Sequence, residues 1–170
     1  VDVTEFQVTK RNAHDKRGIA MKSTEEIKTI VRSLFATQNL AVLATHNSGQ
    51  PYASLIAFAG KDDLKEIFFA TPRTTRKYKN LRSDSRVAVL INSSENQPSD
   101  FHRAVSITAT GIAEDVQNHE RDLFLQCYLV RHPHLKDFIE APSTAWVRVK
   151  VNCYYMVNNF QKVTELHVNP

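Results

Sequence analysis

Cysteine is scarce in this chain of 170 residues: there are two, Cys127 and Cys153. They do not form a CxxC pair, so the spacing offers no zinc ribbon and no dithiol redox centre. Each lies in apolar surroundings, Phe124, Leu125 and Tyr128 around the first and Tyr154, Tyr155 and Met156 after the second. Buried free thiols are expected, since cysteine packs as a small hydrophobe; a single disulfide is the alternative. Glycine (4) and proline (6) are also few, which excludes collagen-like and linker-like stretches. No apolar run reaches the roughly 20 residues that span a bilayer. The first 22 residues are polar and lack the apolar core of a secretory signal. A cytoplasmic protein with no membrane partner is the expectation.

What is present is the composition of a globular domain, 42% apolar and 24% charged. The length suits one domain with a substantial core. We expect an arm over residues 1–22 and a single domain over 23–170. The net charge is +4, and its distribution is uneven. Between Thr71 and Arg86 stand Arg73, Arg76, Lys77, Lys79, Arg82 and Arg86 against Asp84 alone, a local +5. The remaining residues hold 16 positive and 17 negative charges, so the rest of the chain carries −1.

The chain divides into short elements. Ser23-x-x-Glu26 is a capping box, and Ile27, Ile30, Val31, Leu34 and Phe35 recur at helical spacing, which predicts a helix ending near Thr37. Leu40–Thr45 reads as a strand buried on both faces. Asn47-Ser48-Gly49-Gln50 is a turn, and Pro51–Ala59 completes a hairpin. Glu66–Ala70 is a third strand. Thr71-Pro72 reads as a helix start with proline at the first helical position, the helix running to about Ser83. Arg86–Ile91 is a fourth strand, residues 92–100 a polar loop, and His102–Asp115 a long strand. Asn118 is expected to cap a helix to Arg131, with Leu123, Phe124, Cys127, Tyr128 and Val130 as its apolar positions. His132-Pro133 ends it, and a short helix reaches Glu140. Ala145–Val151, Tyr154–Asn158 and Val163–Val168 close the series. About seven strands joined mostly by tight turns, with interspersed helices, predict a mainly β fold: an antiparallel barrel with peripheral helices.

The basic segment carries the candidate chemistry. A helix start leaves unpaired N–H groups and partial positive charge. Thr71, Thr74 and Thr75 add hydroxyls, arginine adds a bidentate fork and lysine a point charge, which together suit a phosphate dianion. A solvated basic helix face is the alternative reading of the same residues. Nucleic acid is not expected, because no aromatic-basic interleaving accompanies the charge.

The order of segments resembles the FMN-binding split-barrel superfamily, to which pyridoxamine-phosphate oxidases belong. The resemblance runs through LAVLATHNSGQPYASLIAFA, EIFFATPRTTRKYKNLRSDSRVAVLI and AVSITATGIAEDV, from about Leu34 to Val116. The later VRVKVNCYYMVNNFQKV is similar to the last hairpin of the haem-utilisation branch, with Asn159-Phe160 where a Gly-Phe is usual. The resemblance implies a split barrel, a homodimer with the cofactor between subunits, and flavin-dependent redox transfer to a small molecule. By position, Arg76 and Lys77 would bind the flavin phosphate with Thr75 as hydroxyl donor. Ser54, Leu55, Ile56 and Ala57 would run along the ribityl chain and ring, and Ala70 and Thr71 would lie on the phosphate side. Haem or a deazaflavin is the alternative cofactor; a flavin-binding protein without catalysis is a further one. Ser54, Ala59 and Ser106 stand where pyridoxamine-phosphate oxidases carry arginine, lysine and glutamine, so that substrate is not expected. No catalytic residue is named.

The histidines show no metal-ligand spacing, and no metal site is expected. His132 and His134 flank Pro133, His46 precedes a turn and is expected to be exposed, and His167 is the candidate should haem be bound. Trp146, Tyr154 and Tyr155 are read as packing residues or as lining for a cofactor or dimer groove.

Overall fold

A computed structural model describes residues 23–158 and 162–168. The expected arm over residues 1–22 and the Asn159-Phe160 turn lie outside the described residues. Seven antiparallel strands form one sheet: β1 Leu40–Asn47, β2 Gln50–Gly60, β3 Glu66–Pro72, β4 Arg86–Asn92, β5 Val105–Asp115, β6 Thr144–Asn158 and β7 Lys162–His167. Their lateral order is β3-β2-β1-β4-β5-β6-β7, and an extra β3–β6 pairing closes six of them into a barrel. The helices are α1 Thr24–Thr37, α2 Arg76–Ser83, α3 Asp100–Arg103, α4 Arg121–Arg131 and α5 Lys136–Glu140.

The split arises in β6. Residues 144–150 pair with β3, and residues 153–158 pair with β7, while β5 runs along the other edge. Tyr154–Asn158 is therefore the continuation of Ala145–Val151, not a separate strand. The register slips between Thr110 and Gly111, a bulge that bends the long strand. Gly111 is required there, since a Cβ would stand 2.1 Å from the Lys150 carbonyl oxygen.

The barrel interior is the main core. Ile27, Val31, Leu34 and Phe35 of α1 pack on Leu43, Phe58, Phe69, Val89, Ile107, Val149 and Tyr154. Phe35 meets Phe58 and Tyr154 edge-on, at 5.9 and 6.3 Å between centroids. Fully burying each such side chain is worth about 1.5–3 kcal/mol. The capping box forms as expected, with Ser23 and Glu26 satisfying each other's backbone N–H groups. Arg131 donates to the Ala36 and Gln38 carbonyls and so holds the end of α1.

A second cluster lies outside the barrel. Phe124 and Tyr128 of α4 cover Ala59, Phe68 and Ala70 on the outer faces of β2 and β3. Phe124 stacks between Tyr128 and Trp146, 5.3 Å from each. Leu123 and Val130 do not join it, being 42% and 83% exposed, because α4 offers the sheet a narrow face. Gln117 and a 3-10 turn over residues 118–120 precede α4, so Asn118 is not its cap.

Three further corrections concern local elements. β1 alternates buried and exposed positions and is not buried on both faces, since its outer side is uncovered. Pro72 ends β3, drawn into the ladder opposite Thr144, and α2 begins at Arg76 with Thr75 as its cap. His102 and Arg103 are helical, and β5 starts at Val105. Ser48 and Gly49 both adopt positive φ in the β1–β2 turn, as the expected tight hairpin demands. Both cysteines are free; Cys153 is buried and Cys127 half-buried. Among the described residues no helix is long and apolar enough to cross a membrane.

Candidate functional site

β2 leaves β3 early. The two pair only from Phe58 to Gly60, whereas β2 pairs with β1 from Gln50 to Ala57. Among the described residues, the edge of β2 over 50–57 that faces away from β1 has no strand partner. The chain fills the gap with the turn after β3 and the start of α2.

That turn is tightly bonded. Thr75 Oγ1 donates to the Pro72 carbonyl at 2.8 Å and accepts from the Tyr78 N–H at 3.4 Å. Thr71 Oγ1 lies 3.0 Å from it and is almost fully buried. The Thr75 hydroxyl is therefore occupied in capping α2, which limits it as a free donor to a ligand. Asn80 anchors the far side of the helix by donating to Thr45 Oγ1 at 3.0 Å.

The six cations of the basic segment separate into two sets. Arg73 and Arg82 reach Asp115 of β5 at 3.9 and 3.6 Å, and Arg86 pairs with Asp84 at 2.6 Å. Tyr78 joins the first group by donating to Asp115 at 2.9 Å while accepting from Arg73. Among the described residues, Arg76, Lys77 and the exposed Lys79 pair with no carboxylate. The Arg76 guanidinium lies over the Tyr52 ring, 4.9 Å from its centroid. Lys77 Nζ donates to the Leu55 carbonyl on the open edge of β2 at 2.7 Å. Burial lowers the Lys77 pKa below its ordinary value.

Of the residues expected at the cofactor, Leu55, Arg76 and Lys77 come together directly, with Thr71 and Thr75 behind them. The Ser54 side chain shares the inward face with Leu43, and its hydroxyl oxygen is buried without a hydrogen-bond partner. Ile56 lies in the barrel core, and Ala57 and Ala70 pack in the α4 cluster. These three can offer a ligand little beyond backbone. The donor set fits an anionic phosphate: two uncompensated cations open a helix beside a free strand edge.

Sequence spacing gave no sign of several other arrangements. Tyr52 under Arg76 and Asp115 between two arginines come from distant strands. Arg148 is enclosed by Glu66 at 3.2 Å, Glu120 at 2.5 Å and Glu114. It lines a hollow of about 480 Å³ beside Leu81, Arg82, Ser85 and Gln117. Those carboxylates neutralise Arg148, and Asp115 pairs with Arg82, so the hollow does not compete as an anion site. His46 is not fully exposed; it packs 3.1 Å from Asp84. His132 is buried, with Nε2 2.8 Å from the Phe58 carbonyl oxygen.

The family model of pyridoxamine 5'-phosphate oxidase matches residues 23–158. The chain belongs to this family. No curated relative matches it by sequence. Among solved structures the fold is shared with a haem-binding protein from Mycobacterium smegmatis (17% identity, TM-score 0.74), over 88% of this chain and 60% of that one. This chain thus spans three fifths of that protein's length. It is also similar to HutZ, the haem storage protein from Vibrio cholerae (16% identity, TM-score 0.58, 72% and 88% covered). A FAD-binding protein from Mesorhizobium loti is similar as well (16% identity, TM-score 0.58, 83% and 94% covered). At these identities the likeness establishes the split barrel, which the family match and the closed strand order also support.

Proposed function

We propose that this family member is a homodimeric FMN-binding protein that exchanges electrons with a small molecule. One observation carries the reading: the uncompensated pair Arg76 and Lys77 opens α2 beside the free edge of β2. Arg76 and Lys77 would hold the phosphate, and the backbone of Ser54–Ala57 would meet the polar edge of the ring system. When bound, the flavin supplies the electron transfer, while the chain positions it and excludes water.

The outer sheet face supports the dimer in this reading. Leu55, Val42 and Leu90 fall in one cross-strand row. Leu40 is 53% and Leu55 59% exposed. A second copy seated on this face would cover those side chains and wall the groove. Pyridoxamine phosphate is not the substrate in this reading, since Ser54 and Ala59 offer no cation and Ser106 no amide.

The test is a titration of purified protein with FMN, followed by flavin fluorescence. Binding at micromolar levels is expected, falling about a hundredfold or more in the Arg76→Ala, Lys77→Ala double variant, since each charge-assisted hydrogen bond is worth about 1.5–3 kcal/mol. A protein that binds no FMN at micromolar levels overturns the reading. The same titration with a deazaflavin compares the two ring systems.

Haem is the second reading, favoured by the two haem proteins that share the fold and by the partly exposed His167. It predicts a Soret band on haem addition that survives the double variant and disappears in His167→Ala.

A further inference from the structure

β6 and β7 place three side chains of metal-ligating type on one face. Cys153 stands directly opposite His167 in the ladder, and Tyr155 opposite Glu165. Residues two apart on a strand share a face, so Glu165 and His167 lie side by side, with Cys153 across from them. The Cys153 sulfur, a Glu165 carboxylate oxygen and a His167 ring nitrogen all lie within 4.8 Å of one another. His167 Nε2 is 3.3 Å from Glu165 Oε2. Among the described residues this is the one group of three such side chains gathered so closely. Nothing in the spacing points to it, because Cys153 and His167 stand 14 residues apart and share no motif.

We propose that Cys153, Glu165 and His167 bind a zinc-class divalent cation, with a fourth position open to water or to a ligand. The donor set selects the ion. Thiolate and imidazole suit zinc and its borderline-soft neighbours, whereas magnesium and calcium require oxygen ligands. One sulfur, one nitrogen and one oxygen complete three corners of a tetrahedron, and the contacts of 4.8 Å or less can close on a shared ion with small rotamer changes. The Cys153 thiol gives its proton to solvent as the sulfur–metal bond forms. Cys153 is 4% exposed, while the His167 side chain is 39% exposed. The site thus has a buried floor and an open mouth through which an ion can enter. Tyr155, opposite Glu165 on the same face, is placed to act as an outer-shell partner. Cys153 continues β6 past Lys150, which lies opposite Glu66 at the start of β3, whereas the open edge of β2 runs on from Phe58, opposite Phe69 towards the end of β3, so the proposal does not depend on flavin binding.

Cobalt(II) provides the test, because its spectrum reports both thiolate ligation and tetrahedral geometry. The full chain, reduced and freed of metal by chelation, is titrated with cobalt(II) alone. A thiolate-to-cobalt charge-transfer band and intense visible d–d bands are expected at one equivalent, and one equivalent of zinc(II) should bleach them. Cys153→Ser should lose the charge-transfer band, and Cys127→Ser should keep it. His167→Gln, at a partly exposed position, should keep its circular dichroism and weaken zinc binding by more than the 10–100-fold typical of outer-shell losses, roughly a hundredfold or beyond. A wild-type protein with no charge-transfer band overturns the proposal. So does a band that persists in Cys153→Ser, or a folded His167→Gln variant with unchanged zinc affinity.

Discussion

Lys77 Nζ donates to the Leu55 carbonyl oxygen at 2.7 Å, tying the first turn of α2 to the open edge of β2. The contact joins a cation to the strand where β2 has parted from β3. It holds the ammonium in a half-buried position beside a backbone acceptor.

A pH dependence follows for Lys77. Its folded pKa lies below the ordinary 10.5 because burial disfavours the charged form. In the window between the lowered value and 10.5 the unfolded chain binds more protons than the folded one. The Lys77 contribution to stability therefore rises with pH across that window. FMN affinity that relies on the ammonium should fall over the same range. Lys77→Met should abolish both effects, and Lys77→Arg should keep affinity at alkaline pH. Urea midpoints and FMN titrations at matched pH check the pair.

His132 gives the matching test in acid. Burial is the main cause of its lowered pKa, and it outweighs the Phe58 carbonyl contact. The unfolded chain protonates near 6.5 while the folded chain stays neutral, so stability is complete above 6.5 and falls as pH drops below it. His132→Gln retains a donor for the Phe58 carbonyl and should flatten this acid slope. Chemical denaturation as a function of pH measures the difference.

Two glycines differ in what a methyl group would strike. At Gly60 a Cβ would fall 2.1 Å from the Phe35 ring, and at Gly111 the same distance from the Lys150 carbonyl oxygen. Overpacking costs about 1–3 kcal/mol and occasionally more. Gly60→Ala should lose stability on that scale and regain part of it with Phe35→Leu, because the obstacle is a side chain. Gly111→Ala should lose about 3 kcal/mol or more, since the obstacle is backbone at the bulge. Thermal denaturation of the three variants, the double included, decides it.

Arg148 holds three carboxylates, Glu66, Glu114 and Glu120, and its side chain is 13% exposed. Arg148→Met should destabilise the fold by about 3 kcal/mol, the low end for removing one partner of a buried pair, because Glu114 and Glu120 reach solvent. Protonating the carboxylates should shrink the deficit. Glu114 and Glu120 have lowered pKa values in the folded chain, so their stabilisation is present above the ordinary 4.5 and is lost as pH falls through the folded values. Denaturation of wild type and variant in that acid range reads the convergence.

The sequence by itself determined what short-range chemistry controls. The capping box opens α1, the Ser48-Gly49 turn makes the first hairpin, and valines at alternate positions of β6 mark its inner face. The family resemblance carried by the order of these segments suggested the split barrel and singled out Arg76 and Lys77. Tertiary structure decided what depends on partners far along the chain. Thr71 and Pro72 could have started a helix, but β6 pairs with them as strand and delays α2 to Arg76. Residues 145–158 carried a break in their pattern at Asn152, and a bulge with a change of edge partner makes them one strand. Asp115 withdraws Arg73 and Arg82 from the basic segment and Asp84 pairs with Arg86, which leaves Arg76 and Lys77 at the groove and the exposed Lys79. Cys153, Glu165 and His167 meet only because β7 folds back on β6. Hydrogen bonding along a ladder sets such neighbours through its register, and register is a property of two strands that neither sequence stretch contains alone.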